Sequence, residues 1–190
     1  MTRAICVYCG SSPGAHPDYA AMARLLAGEL LAHDLTLVYG GASKGLMGIL
    51  ADAVLDGGGR VIGVIPAALQ QKEVAHTGLT ELHVVQSMHE RKAMMAELSD
   101  GFVALPGAFG TLEEIIETLT WAQLGLHRKP CGLLNVRGYY DTLIQFLVHA
   151  EAEAFLRKQH RSMLLVDTDP ARLLTRFANY EPPEIPKWRD

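Results

Sequence analysis

The chain has 190 residues, 49% of them hydrophobic and 20% charged, the size and composition of one globular domain with a substantial core. Its net charge of −4 offers no basic face for nucleic acid, and no apolar run approaches the ~18 residues of a membrane span. Three cysteines are too few for a disulfide framework, and an amino terminus without a signal-peptide core makes cytoplasmic residence the expectation.

In chain order, short apolar runs predict strands over residues 4–8, 36–39, 60–65, 82–85, 101–105, 132–135 and 163–166. Helical patterns fall between them, over 18–33, 46–56, 89–98, 111–124, 139–153 and 170–179. The strands are apolar almost throughout, as strands covered on both faces are. Such alternation predicts an α/β fold: a single Rossmann-like, doubly wound parallel sheet with helices on both faces, built from right-handed crossovers. Only a short segment after Pro66, near residues 67–71, breaks the pattern. The expected domain covers residues 1–180, and a proline-rich tail covers 181–190.

Cys6-Val7-Tyr8-Cys9 has the spacing of a redox motif but lies in and just after a strand. A thioredoxin-type thiolate needs a helix start, so buried structural thiols are expected. The histidines form no H-E-x-x-H, Cys131 has no nearby partner, and no metal site is expected. No cofactor is expected either.

Doubly wound sheets bind ligands beyond the carboxyl ends of their strands, where the winding reverses. Three small-residue loops fall at such ends: Cys9-Gly10-Ser11-Ser12, Gly40-Gly41-Ala42-Ser43-Lys44-Gly45, and Pro106-Gly107-Ala108-Phe109-Gly110. Neither the G-x-G-x-x-G fingerprint nor the G-K-[ST] order of a P-loop is present, which argues against a nicotinamide dehydrogenase or an NTPase. The third loop leads from a strand into a helix, where unpaired N–H groups and the helix dipole hold a phosphate well. Glu113 and Glu114 follow directly. An enzyme acting on a phosphorylated small molecule fits this arrangement. Thr111-x-x-Glu114 also matches the capping box, which would make Glu114 a structural cap, and the motif alone fits both roles. Arg91 and Lys92 at a helix start fit either a bound anion or a solvated face balanced by Glu90.

Together these segments resemble the LONELY GUY family of cytokinin riboside 5′-monophosphate phosphoribohydrolases. The residues that carry the resemblance are Cys9-Gly10-Ser11-Ser12, Gly40-Gly41 with Gly45-Leu46-Met47-Gly48, Met88-His89 with Arg91-Lys92, and Pro106-Gly107 with Gly110-Thr111 and Glu114. Thr120-Trp121-Ala122-Gln123-Leu124-Gly125, Gly132-Leu133-Leu134-Asn135, Gly138-Tyr139-Tyr140-Asp141 and Pro186-Lys187-Trp188 fit as well. The resemblance implies a Rossmann-like homodimer that hydrolyses the N-glycosidic bond of N6-modified adenosine 5′-monophosphates, and often of AMP itself, to free base and ribose 5-phosphate. It implies Arg91 and Glu114 as the catalytic pair. Expected substrate contacts are Gly10, Ser11, Gly40, Gly41, Glu73, Met88, Arg91, Lys92, Pro106, Gly107, Ala108, Phe109, Gly110, Thr111 and Glu114. Many relatives once carried a lysine decarboxylase label, yet no lysine is evidently placed to hold pyridoxal phosphate. A broader AMP nucleosidase and a nucleotide-binding protein without catalysis are the alternatives.

One residue departs from the family signature P-G-G-x-G-T-x-x-E: Ala108 stands where the second glycine is usual. A left-handed backbone there would cost alanine ~1–2 kcal/mol, a phosphate close to the Cα would meet an added methyl, and a normal backbone with room for the methyl would make the change harmless. Weakened but retained substrate binding, improved by Ala108→Gly, is the expectation.

Overall fold

The structure is a computed structural model that describes residues 3–70 and 74–183. Seven strands form one parallel sheet in the order β4-β3-β2-β1-β5-β6-β7. They are β1 (Ala4–Tyr8), β2 (Thr36–Tyr39), β3 (Val61–Pro66), β4 (Glu81–Val85), β5 (Gly101–Ala104), β6 (Cys131–Leu134) and β7 (Leu164–Asp167). Each lies within a residue or so of its predicted position. The helices are α1 (Pro17–Ala32), α2 (Gly45–Asp56), α3 (Ala67–Gln70), α4 (Met88–Glu97), α5 (Phe109–Gln123), α6 (Asp141–Ala152), α7 (Lys158–Arg161) and α8 (Pro170–Ala178). A 3-10 turn over Val136–Gly138 precedes α6.

Successive strand side chains point to opposite faces, and β1 divides accordingly. Ile5 and Val7 join the core made with α1, α2 and α8, through residues such as Leu26, Leu50 and Phe177. Ala4, Cys6 and Tyr8 join the core on the other face, with Met95 of α4, Ile115 of α5 and Tyr140. Both faces of the central strand are therefore buried, which is why its sequence lacks polar alternation.

The chain winds outward from β1 to β4, then crosses back to place β5 on the other side of β1. The winding reverses between β1 and β5, so their carboxyl ends open a crevice. The loops there are tied together: Leu105 N–H donates to the Tyr8 carbonyl at 2.9 Å, and Gly10 N–H to the Pro106 carbonyl at 3.1 Å.

Cys6, Cys9 and Cys131 are free and buried, and burial pushes all three thiols above their ordinary range. The C-x-x-C pair thus has the character of structural thiols. Among the described residues no helix is long and apolar enough to cross a membrane, and no cluster of three or more His, Cys, Asp or Glu side chains fits a metal ion. Most of the predicted tail, residues 184–190, lies outside the described residues.

Candidate active site

A cavity of about 380 Å³ occupies the crevice. Gly10 and Ser11 of the first loop, Gly40 of the second, and Pro106, Gly107, Ala108 and Gly110 of the third line it. Met88 and Arg91 from α4, with Thr111 and Glu114 from α5, complete the predicted residues on its walls. Gly41, Lys92 and Phe109 are not part of the wall, although they were expected to contact substrate. Glu73 lies outside the described residues.

Helix α5 starts earlier than the capping box predicts. Ala108 occupies its N-cap position and no side chain caps it, so Thr111 falls in the first turn and Glu114 in the second. The structural-cap reading of Glu114 therefore fails. The capping arrangement forms instead at α4. There Glu90 N–H donates to Ser87 Oγ at 3.1 Å, and Gln86 N–H donates to Glu90 Oε2 at 2.8 Å. Ser87-x-x-Glu90 carries the same S/T-x-x-E signal that drew attention to Thr111. At α5 the N–H groups of Phe109, Gly110 and Thr111 belong to the first turn, beyond the reach of intrahelical bonding.

Arg91 and Glu114 face each other across the cavity wall, Nη2 to Oε1 at 3.7 Å, with both side chains about nine-tenths buried. Arg91 Nη2 also donates to the Gly40 carbonyl at 3.5 Å, while Nε is buried without a hydrogen-bond partner among the described residues. A Cβ added at Gly40 would lie 2.1 Å from Arg91 Nη2, so glycine is what lets the guanidinium lie against this loop. The solvated-face reading of Arg91 and Lys92 is excluded by their burial.

Lys92 turns away from Arg91, as helix neighbours must. Its ammonium pairs with Glu113 and, at 2.8 Å, with Glu117, joining α4 to α5. Burial pulls this amine down, but the hydrogen bonds of the two carboxylates more than offset it and leave Lys92 above its ordinary value. Glu113 and Glu117, one turn apart on α5, thus both turn toward Lys92.

Ala108 has φ −93° and ψ −150°, an extended backbone that alanine adopts freely, and it is exposed. Of the cases the sequence left open, the left-handed one is excluded. Several wall residues had no assigned role in the sequence reading, among them Tyr19, Leu69, Met95 and Tyr139. Tyr139 donates to the Gly107 carbonyl at 2.7 Å, and the Gly-Tyr-Tyr-Asp motif was the available signal for it.

A crevice at the reversal of a parallel sheet, floored by helix-start amides and walled by a buried cation–carboxylate pair, marks a Rossmann-like α/β protein built for an anionic ligand. Comparison with known proteins defines the class further. The model of the family described as possible lysine decarboxylase matches residues 47–177. A probable cytokinin riboside 5′-monophosphate phosphoribohydrolase of Oryza sativa subsp. japonica is 52% identical over 180 residues, covering 95% of this chain and 79% of that protein. The enzyme of that name from Rhodococcoides fascians is 51% identical over 168 residues, covering 88% and 85%. One from Arabidopsis thaliana is 47% identical, covering 95% and 83%. The chain belongs to the LONELY GUY family. Among solved structures, the molybdenum cofactor carrier protein of Chlamydomonas reinhardtii superimposes with a TM-score of 0.71 at 21% identity, covering 95% of this chain and 100% of that one. A molybdenum cofactor binding protein from Rippkaea orientalis gives 0.69 at 18%, covering 94% and 97%. At that identity the likeness is one of fold. Among the described residues the cavity wall contains no lysine, the side chain a pyridoxal phosphate Schiff base requires.

Proposed function

We propose that this protein is a cytokinin riboside 5′-monophosphate phosphoribohydrolase, which releases the free base and ribose 5-phosphate from N6-modified adenosine 5′-monophosphates. The observation that carries the reading is the buried Arg91–Glu114 pair on the wall of a cavity that also holds the uncapped start of α5. The relatives' names and their similarity over most of the chain support it.

Breaking a ribosyl–nitrogen bond builds positive charge on the sugar and negative charge on the departing base, through an oxocarbenium-like state. Glu114 supplies the anion beside the sugar and orients or deprotonates the attacking water. First-turn amides of α5 and the Thr111 hydroxyl hold the 5′-phosphate, with Gly10, Ser11, Pro106, Gly107, Ala108 and Gly110 shaping the cradle. Arg91 binds substrate and balances the Glu114 charge. Glu73, by family resemblance, fixes a ribose hydroxyl or the base. Apolar wall residues Met47, Leu69, Met88 and Met95 favour an apolar N6 substituent over plain AMP.

The reading includes a homodimer working in the cytoplasm. Phe109, Phe146 and Phe155 are 90%, 62% and 91% exposed, apolar surface of the kind a second copy covers. Sedimentation at micromolar concentration tests that part.

The decisive assay incubates the protein with AMP and with isopentenyladenosine monophosphate and quantifies free base by chromatography, beside Glu114→Gln. Release that falls at least a thousandfold in Glu114→Gln, while nucleotide binding persists, is the expected result. An active Glu114→Gln protein overturns the assignment. The ratio of the two rates separates cytokinin activation from general AMP cleavage.

A further inference from the structure

We propose that Tyr139 is a positioning residue that aims the loop between β5 and α5 at the substrate phosphate. The inference rests on the function proposed above. Three consecutive carbonyls of this loop are each held from outside. Tyr140 Oη donates to Leu105 O at 2.6 Å, Gly10 N–H to Pro106 O at 3.1 Å, and Tyr139 Oη to Gly107 O at 2.7 Å. In a trans peptide the carbonyl and the next N–H point in opposite directions. Fixing the Pro106 and Gly107 carbonyls therefore fixes the directions of the Gly107 and Ala108 N–H groups, which have no backbone partners among the described residues. Those amides lead directly into the uncapped first turn of α5, so one set of bonds orients the whole run of donors.

Tyr139 reaches the loop from a rigid base. Asn135 Oδ1 accepts from Tyr140 N–H at 2.8 Å and its Nδ2 donates to Asp141 at 2.7 Å, which locks the turn ahead of α6. The Tyr139 ring meets those of Tyr140 and Tyr19 edge-on, at 5.1 and 6.0 Å between centroids. Tyr140 is buried in the core, so its loss would cost the fold, whereas Tyr139 is 44% exposed and lies on the cavity wall. Gly107 lies tightly under this bond: a Cβ there would meet Thr111 Oγ1 at 2.1 Å and Gly10 N at 2.9 Å.

The test is Tyr139→Phe, which keeps the ring and removes the hydroxyl. Affinities for AMP, adenosine and ribose 5-phosphate are measured by titration calorimetry, and KM and kcat for isopentenyladenosine monophosphate by base release. A single hydrogen bond of this kind predicts a three- to tenfold weaker affinity for AMP and ribose 5-phosphate and a matching rise in KM. Adenosine affinity and kcat stay within about twofold. Unchanged AMP affinity, or an equal loss for AMP and adenosine, overturns the proposal. So does a normal Tyr139→Phe beside an impaired Tyr139→Leu, because the ring would then be what matters. If the wild-type protein releases no base, the proposed function fails, while the calorimetric comparison still decides the role of Tyr139.

Discussion

Replacing Gly40 by alanine places a methyl 2.1 Å from Arg91 Nη2 and 3.2 Å from Met47 Sδ. Ordinary contact begins near 3.4 Å, so the guanidinium end must retreat by about 1.3 Å, the difference between those distances. The backbone of Gly40 lies outside the left-handed region, and the atom that must yield is the end of a flexible side chain. The fold therefore absorbs the change for ~1 kcal/mol, which lowers Tm by ~2–4 °C in a domain of this size. Catalysis does not absorb it. A misplacement of about 1 Å costs ~100-fold where geometry governs the reaction, and Arg91 is held between the Gly40 carbonyl and Glu114. Base-release kcat/KM beside a thermal melt should show this separation: a ~100-fold loss in rate with a small loss in Tm. Because the methyl acts through Arg91, Gly40→Ala combined with Arg91→Ala should be no slower than Arg91→Ala alone. A Gly40→Ala enzyme within threefold of wild type, or a double variant slower than Arg91→Ala, would refute the reasoning.

The extended, exposed backbone of Ala108 predicts that Ala108→Gly leaves KM within about twofold, contrary to the sequence-based expectation of tighter binding; a fivefold drop would mean the phosphate comes close to this Cα. Lys92→Met leaves Glu113 and Glu117 as like charges one helical turn apart, and should lower stability by more than the ~1 kcal/mol of an exposed pair while KM stays within twofold. A large KM effect with unchanged Tm would return Lys92 to the substrate. Arg172 holds the Asp167 carboxyl below its ordinary value, with further help from the Thr168 and Asp169 N–H groups. A depressed carboxyl contributes stability that is present above the ordinary value of 3.8 and lost as pH falls through the folded-state value. Asp167→Asn should therefore lower Tm at pH 7 and flatten the acid limb below about pH 5; parallel Tm–pH curves for the two proteins would contradict this.

The strands were legible because burial on both faces leaves a nearly unbroken apolar run, as in Ile5-Cys6-Val7-Tyr8. Four-residue α7 was not, since Lys158-Gln159-His160-Arg161 buries nothing and has no period to read. The predicted start of α6 came two residues early. Arg137 and Gly138 both take positive φ, and that turn claims Tyr139 and Tyr140 before the helix begins. At the site, adjacency alone could not separate Arg91 from Lys92, because the neighbours Glu113 and Glu114 of α5 both line the cavity; what turns Lys92 aside is its pairing with Glu113 and Glu117 across the two helices. The capping signal could not be resolved from spacing either. Ser87-x-x-Glu90 and Thr111-x-x-Glu114 look alike, and what separates them is where the chain leaves β5, a tertiary matter. The Gly-Tyr-Tyr-Asp motif marked Tyr139, but its contact could not be read for the same reason: the partner is a backbone carbonyl 32 residues away.

The charges around the cavity explain why amides have to carry so much of the proposed phosphate site. Arg91 and Lys92 stand against Glu113, Glu114 and Glu117, so the junction of α4 and α5 has one more carboxylate than cation. Lys92 is committed to two of those carboxylates, and Arg91 lies against the third. A phosphate arriving here meets no uncommitted ammonium among the described wall residues, in contrast to a P-loop with its lysine. Oriented N–H groups can bind an anion without neutralising the carboxylate that must stabilise a sugar cation nearby. A lysine aimed at the phosphate would also pair with Glu114 and blunt it. On the proposed reading, leaving α5 uncapped and fixing its approach with bonds from Tyr139, Tyr140 and Gly10 would hold the substrate's negative charge without setting a second cation against Glu114.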